Sequence, residues 1–215
     1  QVMKLMENLG LSSSTYYGTT LINVANAYRA AGKLEEALTF FNQVFELYEG
    51  QIDKQDMLYA NLYNNMSLLY QEMGDFQQAV DSLKKALDIV TLYKNNDIKI
   101  AVTYGNLGES LLKLGKYDEA INYLNHAMDI YIRDEVKDFH YGATLSAMGE
   151  ATYRTGDYRL AAICYENALK ELEINVGKTS FYDITMENLN KVYEKLNIGR
   201  EEFLANEDVI YEHWY

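Results

Sequence analysis

Glycine recurs in this chain at a fixed interval: Gly32, Gly74, Gly115 and Gly156 stand 42, 41 and 41 residues apart. A period of that length marks a chain built from one supersecondary unit used repeatedly, because each unit can bury its apolar face only against the next. Other positions keep the same step. Five residues after each glycine comes an alanine (Ala37, Ala79, Ala120, Ala161), and seven before each comes a small residue (Ala25, Ser67, Gly108, Gly149). Fifteen before each stands a bulky one: Tyr17, Tyr59, Ile100 and Tyr141. One further step reaches Tyr182 and Asn197, and asparagine is the residue that best replaces glycine where left-handed backbone is required. The 215 residues contain no proline, which helix interiors exclude, and β-branched runs are few. The chain is therefore expected to be all-α.

Within each unit the spacing predicts two helices. The first, such as Tyr59 to Met73, ends at the glycine, and the second opens after Asp75 or Asp157 on an aromatic residue or leucine. Small residues seven apart (Ala37/Val44, Ala79/Ala86, Ala120/Ala127, Ala161/Ala168) lie on one face of the second helix. They let the partner helix approach, with Phe41, Leu83, Leu124 and Tyr165 filling the space between. The expected organisation is an array over 1–198. It comprises a second helix of a truncated preceding unit at 1–9, and units at about 17–58, 59–99, 100–140 and 141–181. The first helix of a fifth follows at 182–198, then a capping helix or linker at 199–215 that carries Phe203, Ile210 and Trp214. At least nine helices follow from this division.

Composition removes several classes of function. A formal net charge of −13 disfavours nucleic acid and anionic lipid, both of which need a basic face. No apolar run approaches the roughly 18 residues needed to span a bilayer. A single cysteine, Cys164, cannot form an internal disulfide, and with no basic-then-apolar leader the expected compartment is the cytoplasm. The start at Gln1 rather than Met reads as a fragment or processed chain. Asn65-Met66-Ser67 matches a glycosylation acceptor but falls in a helical, apolar-periodic stretch.

Catalytic chemistry is not legible. Gly177-Lys178-Thr179 resembles the end of a phosphate-binding loop, yet Leu172 stands where that motif needs its first glycine. His126, His140 and His213 have no metal-ligand spacing, and Cys164 lies among Ala161, Ala162 and Tyr165 on a packing face. No metal, cofactor or catalytic residue is expected, and the chain is not read as an enzyme.

The pattern in Tyr104-Gly105-Asn106-Leu107-Gly108 and Gly115-Lys116-Tyr117-Asp118-Glu119-Ala120 resembles the tetratricopeptide repeat (TPR) signature, over roughly Tyr17 to Asn197. The 41–42-residue period and the missing closing prolines resemble the long-helix subtype of kinesin light chains, as does Asn64-Asn65-Met66-Ser67. The resemblance implies a right-handed superhelical solenoid of antiparallel helix pairs. First helices line its concave groove at positions thirteen, ten, nine, six, three and two residues before each glycine. Nine before stand Asn23, Asn65, Asn106, Ala147 and, counted from Asn197, Asn188. An asparagine row has the donors and acceptors to hold an extended peptide backbone, and equally to tie neighbouring helices together.

Arg29, Tyr153 and Arg154 stand on the same wall by that resemblance. The charged groove positions cancel formally, and Glu109/Lys113, Glu150/Arg154 and Glu187/Lys191 read as i,i+4 pairs. The cations with which chaperone-binding members clamp a carboxylate are absent: those positions hold Ile22/Asn26, Asn64/Leu68, Gly105/Glu109 and Ser146/Glu150. The expected function is an interaction scaffold binding a peptide or protein segment in the groove. The alternative is the sensor or regulatory arm of a larger protein, of peptide-pheromone-receptor type or fused to a catalytic domain. Unpaired end units also make end-to-end self-association an expected mode.

Overall fold

A computed structural model describes residues 2–93 and 97–206. The chain divides into two compact units, Gln1–Lys94 and Asn95–Tyr215. The first unit holds α1 (Val2–Asn8), α2 (Thr15–Ala30), α3 (Leu34–Tyr48), α4 (Met57–Glu72) and α5 (Phe76–Val90). The second holds α6 (Asp97–Lys113), α7 (Tyr117–Arg133), α8 (Phe139–Thr155), α9 (Tyr158–Val176), α10 (Ser180–Leu196) and α11 (Arg200–Asn206). Among the described residues there is no strand. Helices pair with their chain neighbours: α2 with α3 and α4 with α5, then α6 with α7 and α8 with α9.

The glycines that set the period close the first helices as expected. Gly32, Gly74, Gly115 and Gly156 all have positive φ, between 72° and 92°, and Asn197 takes the same left-handed place at φ 54°, ψ 40°. The first helices begin slightly earlier than the bulky residue that opens the sequence unit, because a polar residue upstream caps them. Asp56 Oδ1 accepts from Leu58 N at 2.8 Å, so α4 starts at Met57 rather than Tyr59. Asp138 Oδ1 accepts from Tyr141 N at 3.0 Å, and Ser14 Oγ from Tyr17 N at 3.2 Å. Each cap satisfies a donor that the helix itself leaves free. The same start places His140 in the first turn of α8.

Small residues set how closely paired helices approach. Ala37, Ala79, Ala120 and Ala161 are 0 % exposed, as are Ala25 and Ser67. At Gly108 a Cβ would fall 2.5 Å from Leu124 Cγ, and at Gly149 it would fall 2.9 Å from the Tyr165 ring. Leu124 and Tyr165 are buried against these two glycines, and Phe41 and Leu83 are buried as well, each contributing about 1.5–3 kcal/mol. Tyr48 packs edge-on to Tyr59, and Tyr131 edge-on to Tyr141, at ring separations of 5.6 and 5.8 Å.

The ends pack differently. α1 meets α2 through Tyr17 Oη, which donates to Glu7 at 2.9 Å, while Leu5 and Leu9 stay exposed. At the other end Phe203 of α11 is buried against Tyr193, and Arg200 clasps Glu166 of α9 with two bonds of 2.6 and 2.7 Å. Tyr193 Oη donates to the same carboxylate at 2.6 Å. Ile210 and Trp214, read as part of this helix, lie outside the described residues.

Candidate functional site

First helices carry the side chains that were expected to face a ligand, and in each unit they belong to alternate helices along the stack. In the first unit these are α2 and α4. Asn26 Nδ2 donates to Asn65 Oδ1 at 2.7 Å, and Asn65 Nδ2 donates to the Asn61 carbonyl at 2.7 Å. Both polar ends of Asn65 are thus taken by the scaffold. Arg29 is bound to Glu72 across the same two helices, by a hydrogen-bonded ion pair. Asn23 is exposed and makes no side-chain hydrogen bond among the described residues.

In the second unit the first helices are α6, α8 and α10, and they enclose an open groove of about 900 Å³. Its walls carry Glu109 and Lys113 from α6, Glu150, Tyr153 and Arg154 from α8, and Asn188 and Lys191 from α10. Leu112, Ala147, Phe181 and Ile184 supply apolar surface between them. Asn106 is partly exposed one turn before Glu109 on α6, with no side-chain hydrogen bond among the described residues. Asn188 Oδ1 accepts from Lys191 Nζ at 3.0 Å. Lys191 therefore pairs with Asn188, not with Glu187 as its i,i+4 spacing suggests, because the groove-side amide lies within closer reach.

The other two i,i+4 pairs divide. Arg154 Nε donates to Glu150 Oε1 at 2.7 Å, and Tyr165 Oη donates to Oε2 at 3.1 Å, so Glu150 is held on both oxygens. Glu109 and Lys113 form no ion pair among the described residues. Lys113 extends into solvent, while Glu109 sits crowded between neighbouring helices although part of it remains accessible. Loss of surrounding water outweighs the attraction of Lys113 and pushes the Glu109 carboxyl up to about 7.

A difference in the residues at matching positions accounts for this. In the first unit, Asn26, six residues before its glycine, meets Asn65, nine before the next. In the second unit the same two positions hold Glu109 and Ala147, and a methyl group cannot hydrogen-bond. Sequence reading put Glu109 in the groove but gave it to Lys113. The alanine that breaks the asparagine row was the signal that its partner across the groove is absent.

Cys164 is fully buried, which holds its thiol well above the ordinary range, and a thiolate is the reactive form. Gly177-Lys178-Thr179 is the connector between α9 and α10, with Lys178 Nζ 3.4 Å from Glu173. Among the described residues no group of three or more His, Cys, Asp and Glu is arranged to hold a metal ion. No helix there is long and apolar enough to cross a membrane.

Comparison with known proteins gives the same architecture. None of the curated protein sequences compared with the chain matches it. Among solved structures, BtubC (BKLC) from P. vanneervenii is similar with a TM-score of 0.74 at 20 % identity, over 91 % of this chain and 80 % of that one. A Podosopora anserina protein described as a kinesin light chain of nearly identical TPR-like repeats scores 0.69 at 16 % identity, over 87 % and 90 % of the two chains. The apo form of RapI scores 0.74 at 15 % identity, over 88 % of this chain and 67 % of that one. At such identities the likeness is one of fold. The family model described as Tetratricopeptide repeat matches residues 16–91 and 99–171. With that match across both units, the chain belongs to the tetratricopeptide repeat family.

Proposed function

We propose that the chain is a protein-interaction scaffold whose ligand is an extended peptide segment bound in the groove of α6, α8 and α10. The observation that carries this reading is the groove itself. Its volume of about 900 Å³ lies within the range of built ligand sites, on the order of 300–1,000 Å³. Its walls alternate apolar surface with donors and acceptors that an extended backbone needs. Asn188 lines this groove with its amide nitrogen unengaged, and Asn106, on α6 one turn before the lining residue Glu109, is unengaged as well. Asn23 is likewise unengaged in the first unit, whereas Asn65 and Arg29 serve the scaffold first and a ligand only by exchange.

Panning the whole chain against a random heptapeptide display library tests the reading. Peptides selected by the chain should bind Asn106→Ala and Asn188→Ala more weakly by about 1–3 kcal/mol each, since a ligand group is then left without its partner. Thermal stability should not change, because neither amide supports helix packing. Lower stability with unchanged binding would make these asparagines structural and end the proposal for them.

A further inference from the structure

We infer that this groove selects a peptide carrying a lysine or arginine, whose cation seats on the Glu109 carboxylate. The inference rests on the groove being the peptide site and adds the side chain it chooses. Three observations carry it. Glu109 lines the groove and is partly accessible from it. It has no ion pair or hydrogen bond among the described residues, while the carboxylate at the same place in the next first helix, Glu150, holds Arg154 and Tyr165. Across from it, where the first unit offers Asn65 to Asn26, stands Ala147.

The groove's cations do not argue for an acidic ligand with equal force. Arg154 is engaged by Glu150 and Lys191 by Asn188. Lys113 is unengaged but solvent-exposed, where an ion pair is screened and worth little. An anion entering the groove would also meet Glu109 and Glu150. A cation, by contrast, gives a poorly hydrated carboxylate the partner it lacks, and the stem of a lysine or arginine can lie along Leu112 and Tyr153.

The interaction depends on pH through Glu109. The charged and titratable groups lining the groove around it are Lys113 on its own helix, Tyr117 from α7, Glu150, Tyr153 and Arg154 from α8, and Lys191 from α10. With the carboxyl pushed up to about 7, it is largely protonated at pH 6 and largely ionised at pH 8, so a basic peptide should bind more tightly at pH 8.

The test selects heptapeptides on the wild-type chain at pH 8 and sequences them, then repeats the selection on Glu109→Gln and Glu109→Lys. Wild type should enrich Lys or Arg at one position, Glu109→Gln should lose that preference, and Glu109→Lys should replace it with Asp or Glu. A synthetic peptide from the wild-type pool should bind roughly tenfold more weakly to Glu109→Gln, and a norleucine substitution in the peptide should erase the difference. Ala147→Asn, which restores the first unit's arrangement, should also erase it. Circular dichroism establishes that each variant is folded. Groove-dependent peptides (weakened by Asn188→Ala or Tyr153→Ala) with no basic preference, or with an acidic one, overturn this inference and leave the peptide site standing. Selected peptides indifferent to those two groove variants, or no selection at all, overturn both.

Discussion

Asn65 and Asn106 occupy the same place in their helices, nine residues before the closing glycine, yet one is fully engaged and the other makes no side-chain bond. The difference lies in the neighbouring first helix. In the first unit Asn26 reaches Asn65 and Arg29 reaches Glu72, so two polar links run between α2 and α4. In the second unit the corresponding positions pair Glu109 with Ala147 and Leu112 with Arg154, and neither pairing can form such a link. Arg154 and Lys191 turn back on their own helices, to Glu150 and Asn188, and the Ser146 and Thr185 hydroxyls, 3.2 Å apart, link α8 to α10 instead. A repeat therefore fixes where a side chain stands, while its neighbour decides whether that side chain serves the scaffold or a ligand.

The second unit makes a charged polar tie at the end of the array, away from the groove. Arg200→Ala would leave the Glu166 carboxylate, 6 % exposed, with Tyr193 alone. Because the arginine itself is 45 % exposed, the expected cost is about 2 kcal/mol, below that of a fully buried pair. Chemical denaturation should show the loss and peptide binding should not change. Altered binding would mean that the end and the groove are coupled.

Next in size is Asn65→Ala. It strands the Asn26 amide, whose Oδ1 is already buried without a partner, and should lower stability by about 1–2 kcal/mol without affecting a peptide held by the second unit. Asn106→Ala in the same assays should give the opposite pattern, and two identical patterns would erase the contrast between the units.

Glu109→Gln should act on stability in a pH-dependent way. The folded chain holds the Glu109 proton to about pH 7, whereas the unfolded chain releases it near 4.5. Stability therefore falls as pH rises from 4.5 through 7, and the substitution removes that fall. Thermal melts should find the variant more stable by about 1 kcal/mol at pH 8, a figure discounted for partial exposure, and equal to wild type at pH 4. Equal melting at both values would mean the carboxylate is well hydrated. The smallest effect belongs to Arg154→Ala: an ion pair half open to water should change stability by about 0.2–1 kcal/mol, and by less in high salt.

The repeat was legible because close packing leaves a visible trace. Glycine, or asparagine in its place, marks each left-handed turn that closes a first helix, and only small residues fit beneath Leu124 or Tyr165. Helix starts were read less well, since Asp56 and Asp138 lie outside the apolar period and act through a hydrogen bond instead. The links between first helices could not be read at all. Arg29 and Glu72 are 43 residues apart, and sequence spacing within a helix offered Lys113 to Glu109 and Glu187 to Lys191 in preference to what the fold allows.

The pairing of each helix with its neighbour in the chain also bears on how the protein forms. In α2 with α3, or α8 with α9, the closing loop is a few residues long, so the entropy lost in bringing partners together is small. Chains dominated by such local contacts reach their native state on the order of microseconds to milliseconds. Any hairpin can act as a nucleus, and the next helix then adds to a surface already made. The left-handed residues at Gly32, Gly74, Gly115, Gly156 and Asn197 thus sit where the rate of assembly is set, and replacing one with a β-branched residue should slow refolding as well as weaken the fold.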